Sequence, residues 1–166
     1  MPHAAVSILL ALAGIFQTHA SDRIVIETVI DAPVDAVWKA YTTKEGLESW
    51  MVPKAEIRLA VGGTFRTHFD PNGRIGDADT IENAILSYEP ERMLSLKVAK
   101  APASLPMKSA AEKTWSVVYF TPDGQKTKVR EVTMGFGPDE ESQQLRGFLD
   151  SGNRMLLERL QKKFSK

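Results

Sequence analysis

Few side chains in this chain are equipped for chemistry. It contains no cysteine, which excludes disulfides, thiolate metal sites and cysteine nucleophiles. His68 is the one histidine beyond the first twenty residues, and a lone histidine cannot build a conventional zinc site. It alternates with Phe65, Thr67 and Phe69, so it is expected on the opposite, solvent-facing side of a strand. Asp70, Asp77 and Asp79 surround Asn72-Gly73 but lack the residue order and closing glutamate of a calcium loop, and they read as turn chemistry. Ser116 has no histidine–carboxylate partner in view, and no G-x-S-x-G elbow or phosphate-cradling glycine motif occurs.

Glu131 is the residue with most chemical potential, because it interrupts an apolar strand. If Asp123-Gly124 is a two-residue turn, Glu131 pairs with Ser116 and faces the core. A carboxyl there would have a raised pKa and could act as a base or a polar anchor. The plainer and preferred alternative is a one-residue bulge at Gly124-Gln125 that turns Glu131 to solvent.

The remaining candidates are aromatic: Trp38, Trp50, Phe65, Phe69, Trp115, Tyr119, Phe120, Phe136 and Phe148. Trp38 reads as plain core. Trp50, Phe65, Trp115 and Phe148 fall on elements that could rim a cavity. A dry void of about 300 Å³ would cost on the order of 7 kcal/mol. A cavity of that size is therefore expected to be filled or absent.

The elements that must position these groups follow from period and punctuation. Asp22 to Ile30 is a β-branched first strand. Asp31-Ala32-Pro33 stops it and starts a short helix burying Val34, Val37, Trp38 and Tyr41. Thr42 with Glu45 has capping-box spacing and opens a second short helix carrying Leu47 and Trp50. Five or six further strands are expected, from the runs Lys54–Leu59, Thr64–Phe69, Thr80–Tyr88, Arg92–Val98, Lys113–Thr121 and Lys126–Phe136. Val61-Gly62-Gly63, Asp70-Pro71-Asn72-Gly73, Glu89-Pro90-Glu91 and Pro122-Asp123-Gly124 supply turns. Ala99 to Ala111, with two prolines and no period, reads as the long loop and as a gate.

Pro138 to Phe164 is the only long helical pattern. Leu145, Phe148, Leu149, Gly152, Leu156, Leu160 and Phe164 recur three and four apart and are expected to share one face. Its first turn is acidic and its last basic, as the helix dipole favours. An antiparallel sheet with one apolar face needs a cover, and only this helix is long enough. The fold class is therefore α+β: a curved antiparallel sheet, two short helices after the first strand, and a long C-terminal helix packed across it.

With 166 residues, 43% hydrophobic and 25% charged, the chain suits one ordinary domain. Lys plus Arg balances Asp plus Glu at 21 each, so no basic surplus argues for nucleic acid. Ala4 to Phe16 is apolar and uncharged, and Thr18-His19-Ala20 offers small residues for cleavage before Ser21. This predicts a signal peptide over 1–20, a mature domain over 21–166, no stable membrane span after cleavage, and secretion or a periplasmic location. The weak point is Met1-Pro2-His3, which brings no Lys or Arg. An uncleaved anchor and a mistaken start site are the other readings.

Taken in order, these residues resemble a known family. Ala32-Pro33-Val34-Asp35-Ala36-Val37-Trp38-Lys39-Ala40-Tyr41-Thr42 is similar to the AP-x-x-x-VW-x-A-x-T opening of SRPBCC (START-like) domains. More narrowly it resembles the branch of homologues of the heat-shock-protein-90 ATPase activator. Trp50, Val61-Gly62-Gly63-Thr64-Phe65, Pro90-Glu91-Arg92-Met93-Leu94, Thr127 and Gly135-Phe136 continue the likeness across Asp22 to Phe164. The resemblance implies a helix-grip fold around a hydrophobic cavity. Two positions depart from the pattern: Asn153 stands where many relatives carry tryptophan, and Glu131 where they usually carry an apolar residue.

The leading expectation is a non-enzymatic carrier of a small hydrophobic molecule, with no cofactor or metal. Trp50, Phe65, Trp115, Phe148, Leu149, Gly152 and Leu156 are expected to line its cavity, with Asn153 and Glu131 as polar anchors. An enzyme resembling polyketide cyclases, with Glu131 moving protons, comes second. Third is a chaperone-binding module, which the closer family name implies and an exported location contradicts.

Overall fold

A computed structural model describes residues 23–165. The expected signal peptide lies outside these residues. Strand β1 (Ile24–Ile30) buries Ile24, Ile26 and Ile30 and turns Val25, Glu27 and Val29 outward, the period-2 pattern of a one-sided strand. Pro33 then fixes the start of α1 (Val34–Thr42), which buries Val37, Trp38, Ala40 and Tyr41. The cap of α2 (Lys44–Glu48) is Thr43 and not Thr42: Gly46 N–H donates to the Thr43 hydroxyl at 3.0 Å. Thr42 is spent within α1, donating to the Trp38 carbonyl at 2.8 Å.

Six further strands follow as β2 (Lys54–Ile57), β3 (Thr64–His68), β4 (Ile81–Glu89), β5 (Met93–Lys100), β6 (Trp115–Asp123) and β7 (Lys126–Met134). The sheet is antiparallel and curled into a half-barrel, in the order β1-β7-β6-β5-β4-β3-β2. Bulges between β4 and β5 at Glu82/Asn83 and Ile85/Ser87 add to its curvature. One short helix escaped the sequence pattern: α3 (Lys108–Ala111) closes the expected Ala99–Ala111 loop. That segment is fastened at both ends. Ser104 N–H donates to Asp79 Oδ1 at 3.0 Å, and Ala110 N–H to Glu141 Oε1 at 3.1 Å.

Helix α4 (Glu140–Phe164) is capped by Asp139, which accepts from Ser142 N–H at 3.0 Å. It lies over the concave face, and Gln161 donates to the Val29 carbonyl of β1 at 3.3 Å. Its buried face is Leu145, Leu157 and Leu160, flanked by half-buried Leu149, Leu156 and Phe164. Phe148 was expected on this face and is 57% exposed. At 100° per residue it stands about 120° from the centre of the buried stripe, whereas Asn153 stands within about 20° of it. Among the described residues no helix is long and apolar enough to cross a membrane.

His68 departs from expectation. It points away from Phe65 and Thr67, as strand parity requires, yet it is buried because residues 70–80 fold back over it. Asp70 N–H donates to Nδ1 at 3.1 Å, and Nε2 lies 3.0 Å from Asp77 Oδ1. Asp77 also accepts from the backbone of Arg74 and Asp79, while Asp70 accepts from Asn72. The acidic cluster is turn chemistry, as expected. Phe69 lies past the end of β3 and is exposed.

Candidate ligand site

The site begins with the β6–β7 register. Asp123 pairs with Lys126, so the two turn residues are Gly124, at φ +61°, and Gln125. Glu131 therefore pairs with Val118, and not with Ser116. The register differs by two residues from the one expected for a turn at Asp123-Gly124, and a two-residue slip keeps the face. Thr127, Val129, Glu131 and Thr133 all point into the concavity opposite Ile30, Thr28, Ile26 and Ile24 of β1. The preferred expectation that Glu131 meets solvent is overturned, because no bulge breaks the β7 ladder to invert its parity.

Ile26 and Val118 flank Glu131 on its two neighbouring strands. From α4, Asn153 Nδ2 donates to Glu131 Oε1 at 2.8 Å and reaches Thr133 Oγ1 at 3.4 Å. Thr133 Oγ1 lies 2.9 Å from Ser116 Oγ. A polar strip thus crosses an otherwise apolar surface. Burial pushes the Glu131 carboxyl up to about 7, so it changes charge near neutrality.

Helix α1 adds Tyr41, whose spacing from Val37 and Trp38 predicts a plain core residue. Its ring packs against Trp50 at 5.0 Å and Phe120 at 5.1 Å. Its hydroxyl is buried and has no hydrogen-bond partner. Burial, with the Glu131 charge as a lesser cause, holds that hydroxyl well above its usual range. The Glu131 charge therefore acts on the Tyr41 hydroxyl. Nothing in the α1 pattern marks this hydroxyl; an apolar-face tyrosine three residues after Trp38 is spaced for packing.

The expected lining separates into three groups. Glu131 and Asn153 meet between sheet and α4, and Leu149 and Leu156 are half-buried against the core. Phe65 and Trp50 are nearby core, 3% and 7% exposed, and the Trp50 indole donates to the Ala40 carbonyl at 3.0 Å. Trp50 also lines an open groove of about 200 Å³ with Met51, Val52, Pro53 and Arg159 of α4. Trp115 and Phe148 do not reach the concavity. Ser116 and Val118 pair with the inward Thr133 and Glu131, so Trp115 takes the outer face by alternation and is 37% exposed. At Gly152 a Cβ would meet no atom within 4 Å, so open space and not tight helix–sheet packing surrounds it. Arg146 of α4, seven residues before Asn153, carries a buried Nε without a partner.

Comparison with known proteins gives the fold its relatives. Protein MLL2253 from Mesorhizobium loti is 23% identical, with a TM-score of 0.69 over 85% of this chain and 95% of that one. The solution structure of the Aha1 dimer from Colwellia psychrerythraea is 17% identical, with a TM-score of 0.67 over 86% and 95%. DynU16, a protein of the dynemicin biosynthetic locus, is 20% identical, with a TM-score of 0.63 over 85% of this chain and 46% of that one. No curated protein matches the chain. Residues 31–165, from the end of β1 past the end of α4, match one family throughout, and on that match the chain belongs to the activator of Hsp90 ATPase homolog 1-like proteins.

Proposed function

We propose that this protein binds a small, largely apolar molecule between the concave face of its sheet and α4, with the molecule's polar end at Glu131 and Asn153. One observation carries the reading: a carboxyl and an amide meet at 2.8 Å inside a surface otherwise built for packing. Burying a carboxyl opposes folding, and a plain cover helix would place an apolar residue at position 153. The half-buried Leu149 and Leu156 supply the apolar wall. The Ala99–Ala111 segment, which joins the 70–80 loop to the start of α4, is the gate of this reading. Native mass spectrometry of the protein purified from its own source tests it. The expected result is a stoichiometric small molecule that is lost in Asn153→Leu. Apo protein that takes up no apolar fluorophore would refute it.

The Glu131 carboxyl also favours a second reading, a proton-transfer enzyme acting on a carbonyl compound in the same space. A group that ionises at about 7 can both take and return a proton at neutral pH. The DynU16 neighbour, from a biosynthetic locus, fits that class of role. Solvent deuterium exchange into a bound ketone, abolished by Glu131→Gln, separates enzyme from carrier. For location, we place the mature chain outside the cytoplasm, with Ser21 as its first residue. Intact mass of the native protein checks this, and an unprocessed Met1 terminus would sink it.

A further inference from the structure

Among the described residues, two buried side-chain polar atoms lack a hydrogen-bond partner: the Tyr41 hydroxyl and Arg146 Nε. Their rarity is informative, because buried polar groups in folded proteins are nearly always paired. Around Tyr41 the rule is kept. The Trp50 indole N–H donates to Ala40, the Thr42 hydroxyl to Trp38, and the Thr127 hydroxyl to Ala32. Tyr41 itself is 3% exposed and wedged between Trp50 and Phe120, so its ring is fixed by packing while its hydroxyl is not satisfied. Phe120, against which the Tyr41 ring packs, pairs with Val129 of β7, two residues from Glu131 and on the same face of the strand, and the Glu131 charge acts on the hydroxyl.

We propose that Tyr41 is a ligand-binding residue, and that the polar end of the ligand is an uncharged carbonyl oxygen accepting from its hydroxyl. The inference rests on the cavity reading above and adds a ligand class to it. A phenol is a good donor to a carbonyl, and this one is held in place before the ligand arrives. Asn153 already donates to Glu131 Oε1 and reaches Thr133 Oγ1, so beside that pair the unpartnered Tyr41 hydroxyl is a donor left for the ligand's oxygen. Ketones, aldehydes, quinones and esters fit this arrangement. A carboxylate would set a second negative charge beside Glu131.

Three naphthalene probes of one skeleton test the idea by fluorescence titration of the whole mature chain at pH 8: 6-propionyl-2-(dimethylamino)naphthalene, its parent without the propionyl group, and the 6-carboxylate. The ketone is expected to bind about tenfold tighter than the parent, the value of one good hydrogen bond. Tyr41→Phe should abolish that preference while leaving the parent's Kd unchanged. Because the ketone-to-parent ratio is read within each variant, a general loss of folding weakens both and leaves the ratio intact. Parent binding with no ketone preference, or a preference that survives Tyr41→Phe, would overturn the inference and leave the cavity reading standing. A carboxylate bound as tightly as the ketone would also overturn it and would point to Arg146. Failure of every probe would sink both readings.

Discussion

Replacing Glu131 by glutamine should stabilise the protein in alkaline solution and leave it unchanged in acid. The unfolded carboxyl ionises near 4.5 and the folded one at about 7, the difference being due to burial. Between those values the native chain keeps a proton that the unfolded chain has released, so stability falls as pH rises and then levels off above 7. At 1.36 kcal/mol per pH unit the full penalty is about 3 kcal/mol. Side-chain exposure and the Asn153 donor reduce this to roughly 1–3 kcal/mol. Glutamine keeps an oxygen for Asn153 and cannot ionise. Urea unfolding followed by tryptophan fluorescence at pH 4.5, 6, 7 and 8.5 measures the difference, which should grow from near zero to that value as a rise in midpoint at constant m. Carboxylates held low, such as Asp139 and Asp150, titrate in both proteins and cancel. Parallel stability–pH curves for the two proteins would refute the placement of Glu131 under α4.

Further outcomes follow from the same geometry. Gly73→Ala would place a Cβ within 2.0 Å of the His68 ring, which is buried and held on both nitrogens; a loss of about 1–3 kcal/mol in the same urea assay is expected. Gly152→Ala meets open space and should gain about 1 kcal/mol in helix propensity, seen as a small rise in Tm. Asp77, whose carboxyl backbone hydrogen bonds from Arg74 hold down at about 2, contributes stability above about pH 3.8 that is lost as pH falls through 2. Asp77→Asn should flatten that acid limb and speed hydrogen exchange at the Arg74 and Asp79 amides.

The fold was legible because its signals are local. Each expected strand is bounded by its own turn residues, and α4 carries a period sustained over many residues. What failed depended on contacts distant in sequence. Residues 108–111 make one helical turn, too short to show a period, and they are held by Glu141 on another element. Strand parity placed His68 on the outer face correctly, yet burial there came from a loop that parity cannot see. Trp115 stands one residue from inward-facing Ser116, and only the pairing with β7 decides which of the two enters the concavity.

The polar half of the site shows why hydrophobic pattern alone finds walls better than anchors. On α4 the apolar residues set the expected face, and that weighting drew Phe148 inward. The helix is in fact rotated so that Asn153 lies near the middle of its buried side, a position that would be costly for an unpaired amide. What makes it tolerable is Glu131, a residue on a different element that itself looked misplaced in its strand. Each of the two breaks the apolar pattern of its own segment, and together they satisfy one another. Tyr41 has no such partner. Its hydroxyl, buried among Trp50 and Phe120, is a polar group that neither the pattern of α1 nor the packing around it accounts for.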